Sequence, residues 1–327
     1  MMKREQSITN ARGIAAIMVV IVHCTAQEFS TLFSGWLIVD VIASAVRPCV
    51  PIFFMISGYL LFDREVGTTT FIWKKTPRVL IPAIFWSMFY VLFIALYNGR
   101  MPTISEFANA LITPSMYHLW YLFFAVGIYL LLPMLLPWMR GSERKDRWVY
   151  FCIFMLCFIA AQTQVGSRII NEYYATIFVS YFFFFIVGAM FKVGDFYFLK
   201  RNKVVSIIGY IAFTSSIAIL TYKSSYTSGS GSQEYFQYTN PLVIFQSILL
   251  FSLLTSLSFK NKYIDIISNY SLGVYGIHVA IIIIINPFIL MSDNEFIRIL
   301  ASILLVIILS VFLSMVFAKI KLFRYII

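Results

Sequence analysis

Charge is scarce in this chain. Only 12% of its 327 residues are Asp, Glu, Lys or Arg, whereas a soluble domain carries about 25%. That scarcity excludes a soluble enzyme, a nucleic-acid binder and a disordered chain. Acids are the rarer sign, 14 against 25 Lys and Arg. Every acid falls in a loop or near the end of an apolar run. No mid-membrane carboxylate relay of the kind common in proton-driven transporters is therefore expected. Histidine occurs three times and cysteine four. Cys152 and Cys157 lie inside one apolar run, Cys24 in another, and Cys49 has no obvious partner, so no disulfide framework is expected. The histidines lack metal-ligand spacing such as two His at i, i+4, so no metal is expected. No fixed-period repeat occurs. The opening Met1-Met2-Lys3-Arg4-Glu5-Gln6 lacks the apolar core and small-residue cleavage site of a removable signal peptide.

What the chain has is apolar length. Hydrophobic residues make up 61% of it. One membrane helix takes roughly 20 residues, so about ten spans fit and little else. The runs are continuous, unlike the alternating strands of an outer-membrane barrel. They fall near 13–33, 43–62, 79–98, 118–139, 148–162, 174–193, 203–222, 241–259, 271–291 and 297–318. Arg47, Pro48 and Pro51 interrupt the start of the second run. Linkers are short, so the pattern predicts an all-α polytopic membrane protein, one domain over 1–327 with about ten transmembrane helices. Residues 224–233, rich in Ser, Gly and Thr, read as a flexible loop.

Lys and Arg alternate from linker to linker. With the N-terminus in the cytoplasm, only Arg47, Arg100, Arg168, Lys223 and Arg298 fall outside, and the other twenty of the 25 fall inside. That split predicts both termini cytoplasmic. It also accounts for the net charge of +11 without nucleic acid.

Ionisable groups are costly in a bilayer, so His23, His118 and His278 are functional candidates, with hydrogen-bonded packing as the alternative for each. Arg12 singles out His23. Eleven residues along one helix leave the two about 20° apart after full turns and about 16 Å apart along the axis. Ala16 and Val19 leave room on the face between them. The sequence places Arg12 at the cytoplasmic end and His23 about halfway through the core. This suits a ligand with an anionic head at the surface and a reactive end in the membrane, since Arg binds phosphate through a planar fork of donors. Glu28 is not a simple orienter of His23, because five residues on it points about 140° away. Lys74, Lys75 and Arg78 form a second basic cluster on the same side; the positive-inside pattern explains them equally well. Ser271, Tyr275 and His278 make a polar stripe on the ninth span. Interhelical hydrogen bonding is the alternative reading of that stripe. Ser57-Gly58 reads as a small-residue packing site. Trp120 and Tyr121 sit where an aromatic belt is expected, which leaves His118 the better candidate there.

Six segments resemble, in order, the motifs of the acyltransferase-3 family of integral membrane acyltransferases. They are Arg12-Gly13-Ile14-Ala15 with His23, RPCVPIFFMISGY at 47–59, FIWKKTPRVLIP at 71–82, His118-Leu119-Trp120-Tyr121-Leu122, YFFFFIVG at 181–188 and SLGVYGIH at 271–278. Among subgroups the chain looks most like the enterobacterial common antigen O-acetyltransferases. Thr9 stands where the family usually has Asp, and Lys75-x-x-Arg78 stands where it has Arg-x-x-Arg. Lys holds phosphate without the bidentate fork.

The resemblance implies acyl transfer from acetyl-CoA, the donor cofactor, to a hydroxyl of a cell-envelope or lipid-linked glycan at the bacterial inner membrane. It implies Arg12, Lys74, Lys75 and Arg78 as donor-binding residues. Arg47, Ser57, His118 and Trp120 would serve the acceptor, and His23, Tyr275 and His278 catalysis. His23 would act as general base on the sugar hydroxyl, or as a transient acyl carrier. Tyr275, Ser57 or Arg47 would donate to the oxyanion. Partners are the lipid bilayer and the glycan acceptor; the oligomeric state is left open. An exporter or flippase of a glycan or lipid precursor is the alternative, and a non-enzymatic membrane scaffold a third.

Overall fold

Seventeen α-helices and no strand occur among the described residues. The computed structural model describes all residues but 1, 34, 64–66, 290–293, 322, 324 and 325, and leaves the side chains of 2–5 and 289 undescribed. Arg64 and Arg324, two of the cations assigned inside, and the end of the ninth run at 290–291 lie outside the described residues.

In chain order come α1 (Met2–Cys24), α2 (Ala26–Ser30), α3 (Trp36–Val46), α4 (Cys49–Leu61), α5 (Thr68–Lys75), α6 (Pro77–Tyr97) and α7 (Ile104–Ala110). A 3₁₀ turn at Tyr117–Leu119 leads into α8 (Trp120–Gly141). Then follow α9 (Arg144–Ala160), α10 (Gln164–Glu172), α11 (Phe182–Val193), α12 (Tyr197–Arg201) and α13 (Lys203–Ser228). The chain closes with α14 (Pro241–Ser256), α15 (Lys262–Asn269), α16 (Ser271–Ile289) and α17 (Glu295–Phe317).

Eight segments among the described residues are long and apolar enough to cross a membrane. The two remaining expected spans are shorter. α9 has 17 residues, and α11 has 12, about 18 Å at 1.5 Å per residue. A bilayer core is about 30 Å thick. Every side chain from Phe183 to Phe191 is buried, so α11 is enclosed by protein.

Several boundaries differ from the sequence reading; the third span, for one, is Thr68–Tyr97 rather than 79–98, so Lys74, Lys75 and Arg78 lie inside it. The first span is Gln6–Cys24, not 13–33, because the chain breaks at Thr25 before α2. The second begins at Trp36 and breaks at Arg47-Pro48 between α3 and α4. Pro48 cannot donate to the ladder, so the helix restarts there. The 224–233 stretch is not all loop. α13 continues to Ser228 and stops at Gly229, whose φ of 74° caps it. Thr227 gives its hydroxyl to the Lys223 carbonyl within the helix, and Ser228 shares its own between the carbonyls of Ser225 and, past the helix end, Ser230.

The chain packs as two compact units. The first comprises Met1–Arg64, Met139–Asn269 and Asn294–Ile299. Its most extensive helix pairing is between α4 and α11. A Cβ on Gly58 would lie 2.0 Å from the carbonyl oxygen of Phe185, and one on Gly188 2.0 Å from that of Met55. Only glycine permits this mutual approach. Gly13 does the same for α15, its virtual Cβ 2.7 Å from the carbonyl oxygen of Ile264. Gln6 adds a 2.7 Å hydrogen bond to Asp265. A buried ion pair ties α9 to the turn after α11, with Arg147 Nε 2.6 Å and Nη2 3.0 Å from the Asp195 carboxylate.

The second unit comprises Glu65–Trp138, Tyr270–Asp293 and Leu300–Ile327. Here α6 and α16 meet at Gly276, where a Cβ would fall 2.0 Å from the Trp86 ring. Trp86 Nε1 donates to the Ile326 carbonyl at 3.1 Å and so holds the C-terminal segment.

Candidate active site

In the first unit, α1 runs unbroken from Met2 to Cys24, so Arg12 and His23 do share a helix face. Both are half-buried. His23 is in the last turn of α1, not halfway through the span, because the helix starts and ends earlier than the apolar run implies. Glu28 faces Arg298 instead, 3.8 Å from its Nε.

Arg47 lies at the break between α3 and α4, inside the second span rather than at its outer edge. Its guanidinium sits 4.0 Å from the centroid of Phe236. Its Nε is shut off from solvent with no hydrogen-bond partner among the described residues. Next to it, Cys49 Sγ approaches the Tyr238 hydroxyl at 3.9 Å. Ser57 donates to the Phe53 carbonyl at 3.0 Å, so its proton is spent inside α4.

The second unit gathers three of the sequence candidates. The His118 ring lies 5.1 Å from that of His278 and 5.6 Å from that of Tyr275. The Tyr275 hydroxyl donates to the His118 carbonyl. His278 Nδ1 lies 2.7 Å from the Tyr275 carbonyl and 3.1 Å from that of Val274. A carbonyl only accepts, so Nδ1 carries the proton and Nε2 is the basic nitrogen of neutral His278. Both imidazoles are buried. Of the three candidate oxyanion donors, Ser57 and Tyr275 thus donate to backbone carbonyls, whereas Arg47 Nε has no partner among the described residues.

Tyr90, which the sequence reading passed over, shapes this cluster. Its ring is 5.0 Å from that of His118. Its hydroxyl donates to the Gly276 carbonyl at 2.9 Å and accepts from the Ala280 amide at 3.0 Å. Those two groups are the i, i+4 pair of a regular helix. The phenol is therefore inserted at the turn that presents His278, a recognised cause of local helix distortion. One tyrosine among 20 carries no sequence signal for this.

Lys74 and Lys75 end α5, and Arg78 follows Pro77 in the first turn of α6. Lys74 and Arg78 are exposed and Lys75 is half-buried. Thr76, the N-cap of α6, makes no side-chain cap. Three cations at one corner suit an anion. Trp120 opens α8, half-buried, its ring 6.5 Å from that of Tyr121.

One acid departs from expectation. Asp40 lies inside the second span, fully buried in α3. Ser44 donates to its Oδ1 at 3.4 Å, and Oδ2 has no partner among the described residues. Gln246 of α14 extends the buried polar row, bonding the Ser44 carbonyl at 2.9 Å and Thr214 Oγ1 at 2.8 Å. The row was missed because the second span begins at Trp36, seven residues before the apolar run.

Fold and site together define a multi-pass helical membrane protein with imidazoles, tyrosines and arginines set among apolar helices. A family model described as an acyltransferase domain matches residues 5–319. The chain belongs to the acyltransferase-3 family, and is a membrane acyltransferase. No curated protein and no solved structure matches it.

Proposed function

We propose that this protein moves an acetyl group from acetyl-CoA to a hydroxyl of a cell-envelope or lipid-linked glycan. The observation that carries the reading is the unbroken α1. It keeps a phosphate-binding Arg12 and a proton-accepting His23 on one face, about 16 Å apart along the axis. The sugar oxygen attacks the thioester carbon while His23 takes its proton. The C–S bond breaks, and the thiolate leaves and is protonated to free CoA. Arg47 is the donor proposed for the oxyanion or the acceptor, with Ser57, His118 and Trp120 assigned to the acceptor. Tyr275 and His278 form the second candidate centre. Arg12 and the Lys74, Lys75 and Arg78 corner are each assigned to donor phosphates.

Arg78→Ala is expected to weaken acetyl-CoA binding by about 1.5–3 kcal/mol, the typical worth of a charged hydrogen bond. Equilibrium binding to purified protein measures this. Unchanged affinity in a folded variant would leave Arg78 a topology determinant only.

The setting proposed is a bacterial inner membrane with both termini cytoplasmic, supported by the Lys and Arg split. Ser228 is the exposed last residue of α13. A cysteine there, with Cys152 and Cys157 changed to serine, should react with a membrane-impermeant thiol reagent in intact cells. Labelling only after lysis would reverse the orientation.

Glycan export is the second reading. The buried, partly unpartnered Asp40 favours it, as intramembrane carboxylates mark proton relays. The family assignment counts against it. Acetyl-CoA turnover by the purified protein separates the two.

A further inference from the structure

The first unit holds a cavity of about 490 Å³, within the usual size of a small-molecule site. Its walls come from the start of α1 (Ser7), the α11–α12 turn, the α12–α13 corner and the end of α14. Phe191 and Phe196, stacked 4.5 Å apart at 18°, line it. Tyr197, 64% exposed, is also part of the lining.

Among the described residues its charge is of one sign: Lys200 from the last turn of α12 and Lys203, the first residue of α13, line it, and no described lining residue is acidic. Asp195 lies between two lining residues, but Arg147 holds its carboxylate. Thr255 and Ser256 give their protons to backbone carbonyls, so the lysines are the strong donors. Lys203 also marks the N-terminus of a 26-residue helix whose N-cap, Asn202, makes no side-chain cap. The positive end of that dipole adds to the two ammonium groups. The positive-inside rule explains lysines at this end of the spans. It does not explain a cavity that two of them line together with aromatic rings and hydroxyls.

We propose that this cavity binds the phosphate group of a small ligand. Two sources share that chemistry: the 3′-phosphorylated adenosine head of an acyl-CoA, with its flat base against Phe196 or Tyr197, and the headgroup of an anionic phospholipid. The nucleotide source rests on the acetyl-CoA reading, and the phosphate preference does not.

The test uses the full-length protein in detergent, with adenosine 3′,5′-bisphosphate, adenosine and phosphatidylglycerol micelles as probes. The bisphosphate is expected to bind, and adenosine to bind at least about tenfold more weakly. The Lys200→Ala/Lys203→Ala variant should lose about tenfold or more in bisphosphate affinity, as expected for lost charged hydrogen bonds. Lys203→Glu should lose at least as much, and Lys223→Ala nothing. Lysine-dependent binding of phosphatidylglycerol without the bisphosphate upholds the phosphate site and overturns the nucleotide source. Lysine-independent binding of both probes, or no binding, overturns the proposal. Failure of wild-type protein to bind acetyl-CoA overturns the donor reading instead. Acetyl-CoA affinity equal in wild type and both lysine variants overturns only this cavity's part in it.

Discussion

His23→Ala is expected to lower acyl transfer by about 10²–10⁴-fold, the usual contribution of a general base, while acetyl-CoA still binds. The split arises because the anionic head is assigned to Arg12, about 16 Å away along the axis. His278 is the competing imidazole. His278→Asn deletes the basic Nε2 yet keeps an N–H near the position from which Nδ1 donates to the Tyr275 carbonyl. Turnover is compared at matched expression and matched donor occupancy. A near-normal rate in His23→Ala beside a dead His278→Asn would move the chemistry to the His118–Tyr275–His278 cluster. Activity in both would remove the mechanism and favour export.

Asp195→Ala should be the most destabilising single change in the first unit. The Arg147 and Asp195 side chains are 10% and 3% exposed. Without the carboxylate the guanidinium stays buried and uncompensated, a loss of about 3–5 kcal/mol. Arg144 loses little: its hydrogen bond goes to the Asp195 backbone carbonyl, and its ion pair with the carboxylate is long, 3.8 Å from Nε, on a 68% exposed side chain. Thermal unfolding in detergent measures the effect. Replacing both partners, as Arg147→Met/Asp195→Leu, should restore much of the stability, because two charges no longer need to leave water. A melting point for Asp195→Ala within a degree of wild type would show that the pair is solvated in practice.

Much of the architecture is legible in the residue order. Apolar length requires helices, because a backbone in lipid must satisfy its own hydrogen bonds. Two readings hold at the level of single residues. Gly58 and Gly188, in segments singled out as motifs, prove to be the mutual contact of α4 and α11. Arg12 and His23 share one helix, so their common face follows from arithmetic alone.

What was hidden depends on which helix lies opposite. Lipid tails and protein interior are equally apolar, so an apolar run does not distinguish a lipid-facing side from a packed one. α11 looked like a full span and is a 12-residue helix enclosed by protein. Asp40 looked peripheral and lies inside α3, because a helix continues through a polar residue when a neighbour covers it; Arg47 lies at the break within the same span. The Tyr90 hydroxyl at the turn of α16 that carries His278, and the cavity lined by Lys200 and Lys203, join residues more than fifty positions apart. Local periodicity, a property of one helix, accounts for the spans and their faces. The pairing of polar groups across helices is set by packing, which no single run encodes.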